Sequence, residues 1–514
     1  RYDEAARMYQ TAYKTARDHS HIVAFRTRWA MVAGLLGDFY YDRKQYGEAI
    51  KYFNESIELH TRENSVVSLH SGLKGRFLAH IAAGNDRDAY EDLKEIRRST
   101  ENYRRHLSNE GYRNSFFRRE QEFADAAIDF LIDRRDDEYA FNFSESTRAR
   151  SLLDLISTRA SVSSNSRETD FLLESVSTSV GLSEIQAALP ANVLLVQYAV
   201  LRDRVVIWAV SRDGRLTRTS TVSQRELRER VNAYKKKIAD YRNPDYSVTA
   251  VNAESEWFYS LLIAPVENQI KPGTHLCIIP DKALNFLPFL TLRKPGSGKY
   301  LVERSPVSFM PGSTIFVHCT RRAAELQSKS AGRDERLLSI GISTLDSRRY
   351  ANLDPLFRAG EEARRIAAFY PDSAVLVDGQ AEKSRVIAAM GRADVVHIAS
   401  HYVVDKTSPT KSKLLLSHES VGAGSAEKNS DTLQAEEIYA EYARLAGARR
   451  TRLAVLSSCD SGIESYLEGE GMIGMSRIFI ASDIPLVVAS LWKVDTDATE
   501  TLMVAFHGYR KQKP

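Results

Sequence analysis

Asp394-Val-Val-His-Ile-Ala-Ser-His401 and, further on, Arg452-Leu-Ala-Val-Leu-Ser-Ser-Cys459 share one build. Each is a short, largely apolar run entered from a charged residue and left through serine, and each delivers one chemically capable side chain. A run of this length that does not alternate polar with apolar reads as a strand buried on both faces, the strand type of a parallel sheet. His401 and Cys459 therefore emerge where two core strands leave the sheet.

Working outward, further β-branched runs stand at Val205 to Val210, Leu276 to Ile279, Leu337 to Ile340 and Pro485 to Leu491. Helical patterns alternate with them at 224–238, 360–369, 381–390, 435–445 and 470–480. That alternation predicts a mostly parallel sheet with helices on both faces. In such sheets, functional loops follow the carboxyl ends of strands. A thiol and an imidazole on one sheet edge suit cysteine catalysis, in which a thiolate attacks a carbonyl and the imidazole handles the proton. Taken singly, each residue has a plainer reading: a small buried hydrophobe for the cysteine, a polar loop residue for the histidine.

The amino-terminal third has another rhythm. Tyr2, Ala5, Tyr9 and Ala12 recur as Tyr46, Ala49, Phe53 and Ser56, and again as Ala89, Leu93 and Ile96. Periods of 40 to 44 residues describe a helix-pair repeat, with an irregular helical bundle as the competing arrangement. Leu36-Gly37, Tyr40, Tyr46, Ala49 and Phe53 resemble the tetratricopeptide (TPR) consensus. Residues 103–134 and 136–157 read as one more long helix pair stacked on the repeats. Eight serines between 157 and 180, with few apolar side chains, have a linker's composition. The predicted domains are therefore a TPR-like region at 1–157, a Ser-rich linker at 158–181 and an α/β region at 182–514. The last divides into an amino-terminal pseudo-subdomain, 182–330, and a subdomain carrying the chemistry, 331–514.

Composition bounds the rest. The 514 residues are 43% hydrophobic and 27% charged, an ordinary globular balance. The first 150 residues hold 25 basic and 25 acidic side chains, and the net charge is only +4, so direct nucleic-acid binding is not favoured. Ile484 to Trp492 is far too short for a membrane helix, and no leader opens the chain, which starts within a helical pattern as though trimmed. Three scattered cysteines, Cys277, Cys319 and Cys459, argue for a reducing compartment, the cytoplasm. Cys277 and Cys319 sit in apolar surroundings and read as inert.

Leu453 to Gly462, Gly469-Glu-Gly-Met-Ile-Gly474 and Val488-Ala-Ser-Leu-Trp-Lys-Val-Asp495 resemble the carboxyl-terminal signature of CHAT domains, caspase-like peptidases found beside TPR repeats. His397 to His401 is similar to that family's histidine block, and Ile278 to Pro288 to its upstream segment. The resemblance implies a caspase-type fold, thioester catalysis and neither cofactor nor metal. It makes Cys459 the nucleophile and His401 the general base and acid, with the backbone N–H groups of Cys459 and Tyr402 as oxyanion hole. The family normally has glycine where Tyr402 stands. The same resemblance implies a protein substrate, a regulatory partner on the repeats and a place in bacterial defence or signalling. Related separases and metacaspases hold basic P1 residues in an acidic pocket, for which Asp495 is the first candidate and Asp460 the second; a helix N-cap is the plainer role for both. The rival reading is a catalytically silent TPR-CHAT scaffold that acts by binding.

Two patterns mislead. Gly469 to Gly474 matches a dinucleotide fingerprint but lacks room for the unit that motif requires. His397 and His401 are about 13 Å apart along a strand, too far to share an ion, so His397 reads as a core residue. The polar stretch from Asp405 to Asp431, broken by Leu414 to Leu416, is open to two readings, an activation loop or a passive insertion.

Overall fold

The computed structural model describes residues 2–105, 110–162, 180–240, 246–330, 332–346, 348–405, 411–417, 431–445, 449–458, 465–467, 471–492 and 494–512. The chain forms two compact units, residues 1–136 and 137–514.

The first unit contains α1 (Tyr2–Asp18), α2 (Val23–Asp42), α3 (Tyr46–Arg62), α4 (Val66–Ala83), α5 (Asp86–Arg105) and α6 (Glu110–Asp133). Lys44, Asn64 and Gly84 end three successive helices in the left-handed region, at φ 61°, 56° and 76°. Each time, the next N–H returns to the carbonyl five residues back: Gln45 to Tyr40, Ser65 to His60 and Asn85 to His80, all 2.9 Å. One cap therefore recurs every 20 residues, and a helix pair every 40. Phe53 fills the groove between α2 and α4. A Cβ added at Gly37 or Gly75 would stand 2.6 or 2.4 Å from its ring, so these glycines are what lets the helices close on the aromatic. Gly75→Ala is expected to lower stability by about 1–3 kcal/mol through overpacking, despite alanine's better helix propensity. Urea unfolding checks it; a stabilised variant would show that Phe53 is not confined there.

The second unit opens with α7 (Asp137–Ser146) and α8 (Arg150–Val162). Here the structure departs from the expected boundary at 157 and from one long helix over 136–157. The chain breaks at Thr147 to Ala149, with Ala149 at φ 47°, and both halves pack into the second unit. Arg148, almost fully buried, donates to the carbonyls of Pro280 (2.9 Å) and Tyr198. Glu145 accepts from the N–H groups of Ser313 (3.0 Å) and Thr314 (2.7 Å). Leu152, Leu153 and Ile156 form one cluster with Ile315, Cys319 and Ala481. Of the Ser-rich stretch, residues 163–179 lie outside the described residues; beyond it Val180 is buried and α9 (Leu182–Ala188) begins.

Two five-stranded sheets follow. The first has the order β3-β2-β1-β4-β5, from β1 (Val193–Val200), β2 (Arg204–Ser211), β3 (Gly214–Thr221), β4 (His275–Ile279) and β5 (Val307–Phe309). It is mixed: β1 pairs antiparallel with β2 and parallel with β4. Helices α10 (Gln224–Ala239) and α11 (Val248–Leu262) pack on it through Leu227, Val231, Tyr234, Phe258 and Leu262. Next come α12 (Leu301–Arg304) and α13 (Ser313–Ser330).

The second sheet is all parallel, with the order β15-β12-β8-β6-β7, from β6 (Arg336–Gly341), β7 (Asp372–Val377), β8 (Val395–Ala399), β12 (Leu453–Ser457) and β15 (Leu486–Ala489). Alternate residues face opposite sides. Leu338, Ile340, Val396, Ile398, Ala454 and Leu456 meet α15 (Lys383–Met390), α16 (Ala435–Arg444) and α17 (Met475–Ala481). Leu337, Val395, Leu453 and Val455 meet Ile366 of α14 (Ala359–Ala367) and Met503 of α18 (Thr496–Gln512). Burial on both faces is what the unalternating apolar runs require, and the expected α/β layering is present. The helix expected over 470–480 is shorter: residues 471–473 form strand β14, paired antiparallel with β13 (Ser465–Leu467), before α17 starts. Of the glycine pattern, Gly471 opens β14 and Gly474 precedes α17, while Gly469 lies outside the described residues.

Candidate active site

In the parallel sheet Ala399 stands beside Gly341 on one side and Ser457 on the other, so β6, β8 and β12 end in line. The residues beyond them open into one cleft, walled by Leu356, Glu362, Ser400, His401, Ser458 and Val494 among others. A crevice at the carboxyl ends of parallel strands is where this architecture places ligands. Cys459 and Asp460 lie outside the described residues; Ser458, which precedes them in the chain, is part of the cleft wall.

His401 is half-buried and fixed from two directions. Its carbonyl accepts from the Leu415 N–H (3.0 Å), and the preceding Ser400 hydroxyl donates to the Leu415 carbonyl. Leu415 belongs to β10 (Lys413–Leu415), central strand of a small antiparallel sheet with β9 (Tyr402–Val403) and β11 (Thr432–Gln434). The three leucines 414–416 within the polar stretch are thus fully buried and anchor the histidine. The ring is held by the carbonyl of Asp354, 2.8 Å from Nε2. A carbonyl only accepts, so Nε2 carries hydrogen in the neutral ring and Nδ1 is the nitrogen that takes up a proton.

Asp354 is placed by its loop. Asp378 accepts from the N–H groups of Ser343 (2.7 Å) and Thr344 (3.2 Å), and the Leu356 N–H returns to the Ser343 carbonyl (3.0 Å). At Gly341 a Cβ would lie 2.2 Å from the Ala359 carbonyl oxygen. Only glycine lets the start of α14, which carries Glu362, close on the end of β6.

The bond from Leu415 to His401 also fixes the register beside it. Tyr402 and Leu414 form the wide, non-hydrogen-bonded pair, so the Tyr402 N–H points away from β10. Its side chain packs against the core that includes Leu414 and Leu416, with the hydroxyl buried. A tyrosine at this glycine position therefore puts its bulk into the interior, and the ring is not part of the cleft wall.

Asp495 caps α18: its Oδ1 accepts from the N–H groups of Asp497 and Ala498, both 3.1 Å. Val494 and Thr496 on either side of it reach the cleft. His397 is fully buried in β8 and bonds Glu362, 2.9 Å from Nε2 to Oε1. Cys277 and Cys319 are buried, and burial pushes both thiols up to about 12. Among the described residues no cluster suited to a metal ion occurs and no helix is long and apolar enough to cross a membrane. Sequence reading missed Asp354, which acts through its backbone and leaves no side-chain signal. It also missed Glu362, whose helix pattern looks like an ordinary charged face.

A repeat-helix unit joined to a caspase-like α/β unit, with an imidazole anchored at a strand end, defines the class. The chain belongs to the CHAT-domain family, whose domain matches residues 252–514, just over half of its length. It is 27% identical over 282 residues, 48% of the chain, to tetratricopeptide repeat protein 28 of Mus musculus. It is 27% identical over 290 residues to the protein of the same name from Homo sapiens. The match covers 11% of either relative, so the chain spans about a tenth of their length. The architecture is that of a TPR-CHAT protein.

Proposed function

We propose that the chain is a cysteine endopeptidase acting on protein substrates, with Cys459 as nucleophile and His401 as general base and acid. The observation that carries this reading is the anchored imidazole. Nε2 is tied to the Asp354 carbonyl, which orients Nδ1 as proton acceptor in a cleft that Ser458 also lines. The Tyr402 N–H, turned out of the strand ladder, suits an oxyanion donor beside the N–H of Cys459. Carboxylates in and beside the cleft favour a basic P1 residue: Glu362 lines it together with Arg358, whose charge is met by Asp497, Asp495 caps the adjacent helix, and Asp460 follows the nucleophile. The helical repeats present protein-binding surface, so a partner bound there targets or activates the peptidase. We place it in the cytoplasm, in a defence or signalling pathway.

Fluorogenic peptides with varied P1 residues, incubated with wild type and Cys459→Ala in the presence of candidate partners, test the reading. Hydrolysis that is strongest after Arg or Lys and vanishes in the variant is expected. Hydrolysis indifferent to Cys459→Ala under activating conditions sinks it in favour of a binding scaffold.

A further inference from the structure

Behind the cleft a row of buried polar groups leads away from Glu362. Glu362 Oε1 lies 2.9 Å from His397 Nε2. His397 Nδ1 lies 3.4 Å from His507 Nε2, and His507 Nδ1 lies 2.9 Å from the Tyr370 hydroxyl. Arg510, paired with Glu335, donates to that hydroxyl at 3.1 Å. His397 and His507 are fully buried, and Glu362 is 3% exposed.

Donor chemistry gives this row one direction. Arginine can only donate, so Tyr370 accepts from it and gives its own proton to His507 Nδ1. His507 then carries hydrogen on Nε2 and donates to His397 Nδ1. His397 carries hydrogen on Nε2 and donates to a Glu362 carboxylate. Reversal requires a protonated Glu362 or a doubly protonated His397, and in either case it leaves the buried Tyr370 proton without an acceptor among the described residues. Burial, the largest cause, lowers His507 to about 2, so its ring is neutral. Of the other charges near the cleft, Arg358 meets Asp497 (3.0 Å) and Arg365 meets Glu500 (2.6 Å), while the Asp495 carboxylate caps α18. Arg358 shares the cleft wall with Glu362 but pairs with Asp497 and Glu500, and among the described residues the partner of Glu362 is His397, whose Nδ1 accepts in this pattern.

We propose that Glu362 is a positioning residue for the cysteine-histidine chemistry. It is a buried carboxylate in the cleft wall whose uncompensated charge favours the protonated form of His401. This rests on the peptidase reading above. When the Cys459 thiol gives its proton to His401, a thiolate and an imidazolium form, and a fixed anion in the same low-dielectric cleft stabilises the imidazolium.

The test follows His401 directly, by NMR titration of histidine-labelled full-length protein, with Cys459 alkylation measured in parallel. Glu362→Gln keeps an oxygen to accept from His397, so the fold is expected to hold. In it the His401 titration midpoint should fall by about one unit, a tenfold loss of proton affinity. Glu362→Asp keeps the charge and should recover most of the shift. An unmoved midpoint in Glu362→Gln, or an equal fall in Glu362→Asp, overturns the proposal, since packing alone would then explain the residue. Wild-type Cys459 that alkylates no faster than a free thiol at neutral pH rejects the peptidase reading instead, while the titration still reports whether Glu362 acts on His401.

Discussion

His401→Ala is expected to cut peptide hydrolysis by about a thousandfold, with the loss in kcat rather than KM. Ring and thiol act as a unit: without the imidazole, Cys459 has no acceptor for its proton, and the leaving amine has no donor. Adding Cys459→Ala to His401→Ala should therefore cost little more than either change alone. Steady-state kinetics of the two single variants and the double variant check this; additive losses would mean that the residues act separately. The thiol reports independently, because its alkylation midpoint should rise toward the value of about 8.5 for an unassisted cysteine. Stability should hardly change. His401 is half-buried, and the hydrogen bond from its ring to Asp354 has a net worth of about 1 kcal/mol.

The strands that frame this site were legible because a parallel sheet buries both faces and leaves unalternating apolar runs. Both runs, Asp394 to His401 and Arg452 to Cys459, hold strands, at Val395–Ala399 and Leu453–Ser457. The placement of His401 at a strand end followed from the same argument. What holds His401 there was not legible, since the Asp354 carbonyl and the Leu415 N–H belong to every residue's backbone. The Glu362 to Arg510 row joins residues far apart in sequence, and no local pattern announces it. The repeats show the converse. Their aromatic and small residues carried the period, but the caps at Lys44 and Asn64 stayed hidden because a non-glycine residue holds the left-handed turn. The expected boundary at 157 and the division into compact units at 136/137 rest on different signals. Composition marks where a chain is polar, whereas a domain ends where its packing ends.

That difference gives the second large effect. A fragment of residues 137–514 is expected to be soluble and to melt in one cooperative transition, whereas 182–514 should aggregate or lack a transition. The shorter fragment loses α7 and α8, and with them the Glu145 carboxylate that satisfies two N–H groups at the start of α13. It also loses the Arg148 guanidinium that satisfies the buried carbonyls of Tyr198 and Pro280. Each orphaned buried group costs about 1–3 kcal/mol. Leu152, Leu153 and Ile156 leave Ile315, Cys319 and Ala481 facing water, and a buried leucine is worth about 1.5–3 kcal/mol. Together these losses match the whole stability of an ordinary domain, about 5–15 kcal/mol. Arg148→Met, which keeps the volume but removes the donors, should reproduce part of the loss in the full chain, lowering stability by about 3 kcal/mol. Circular dichroism melts and size-exclusion profiles of the two fragments decide the matter. A cooperative, monomeric 182–514 would show that α7 and α8 merely rest on the CHAT unit, and their place at the head of the second unit would then carry no mechanical consequence for the site.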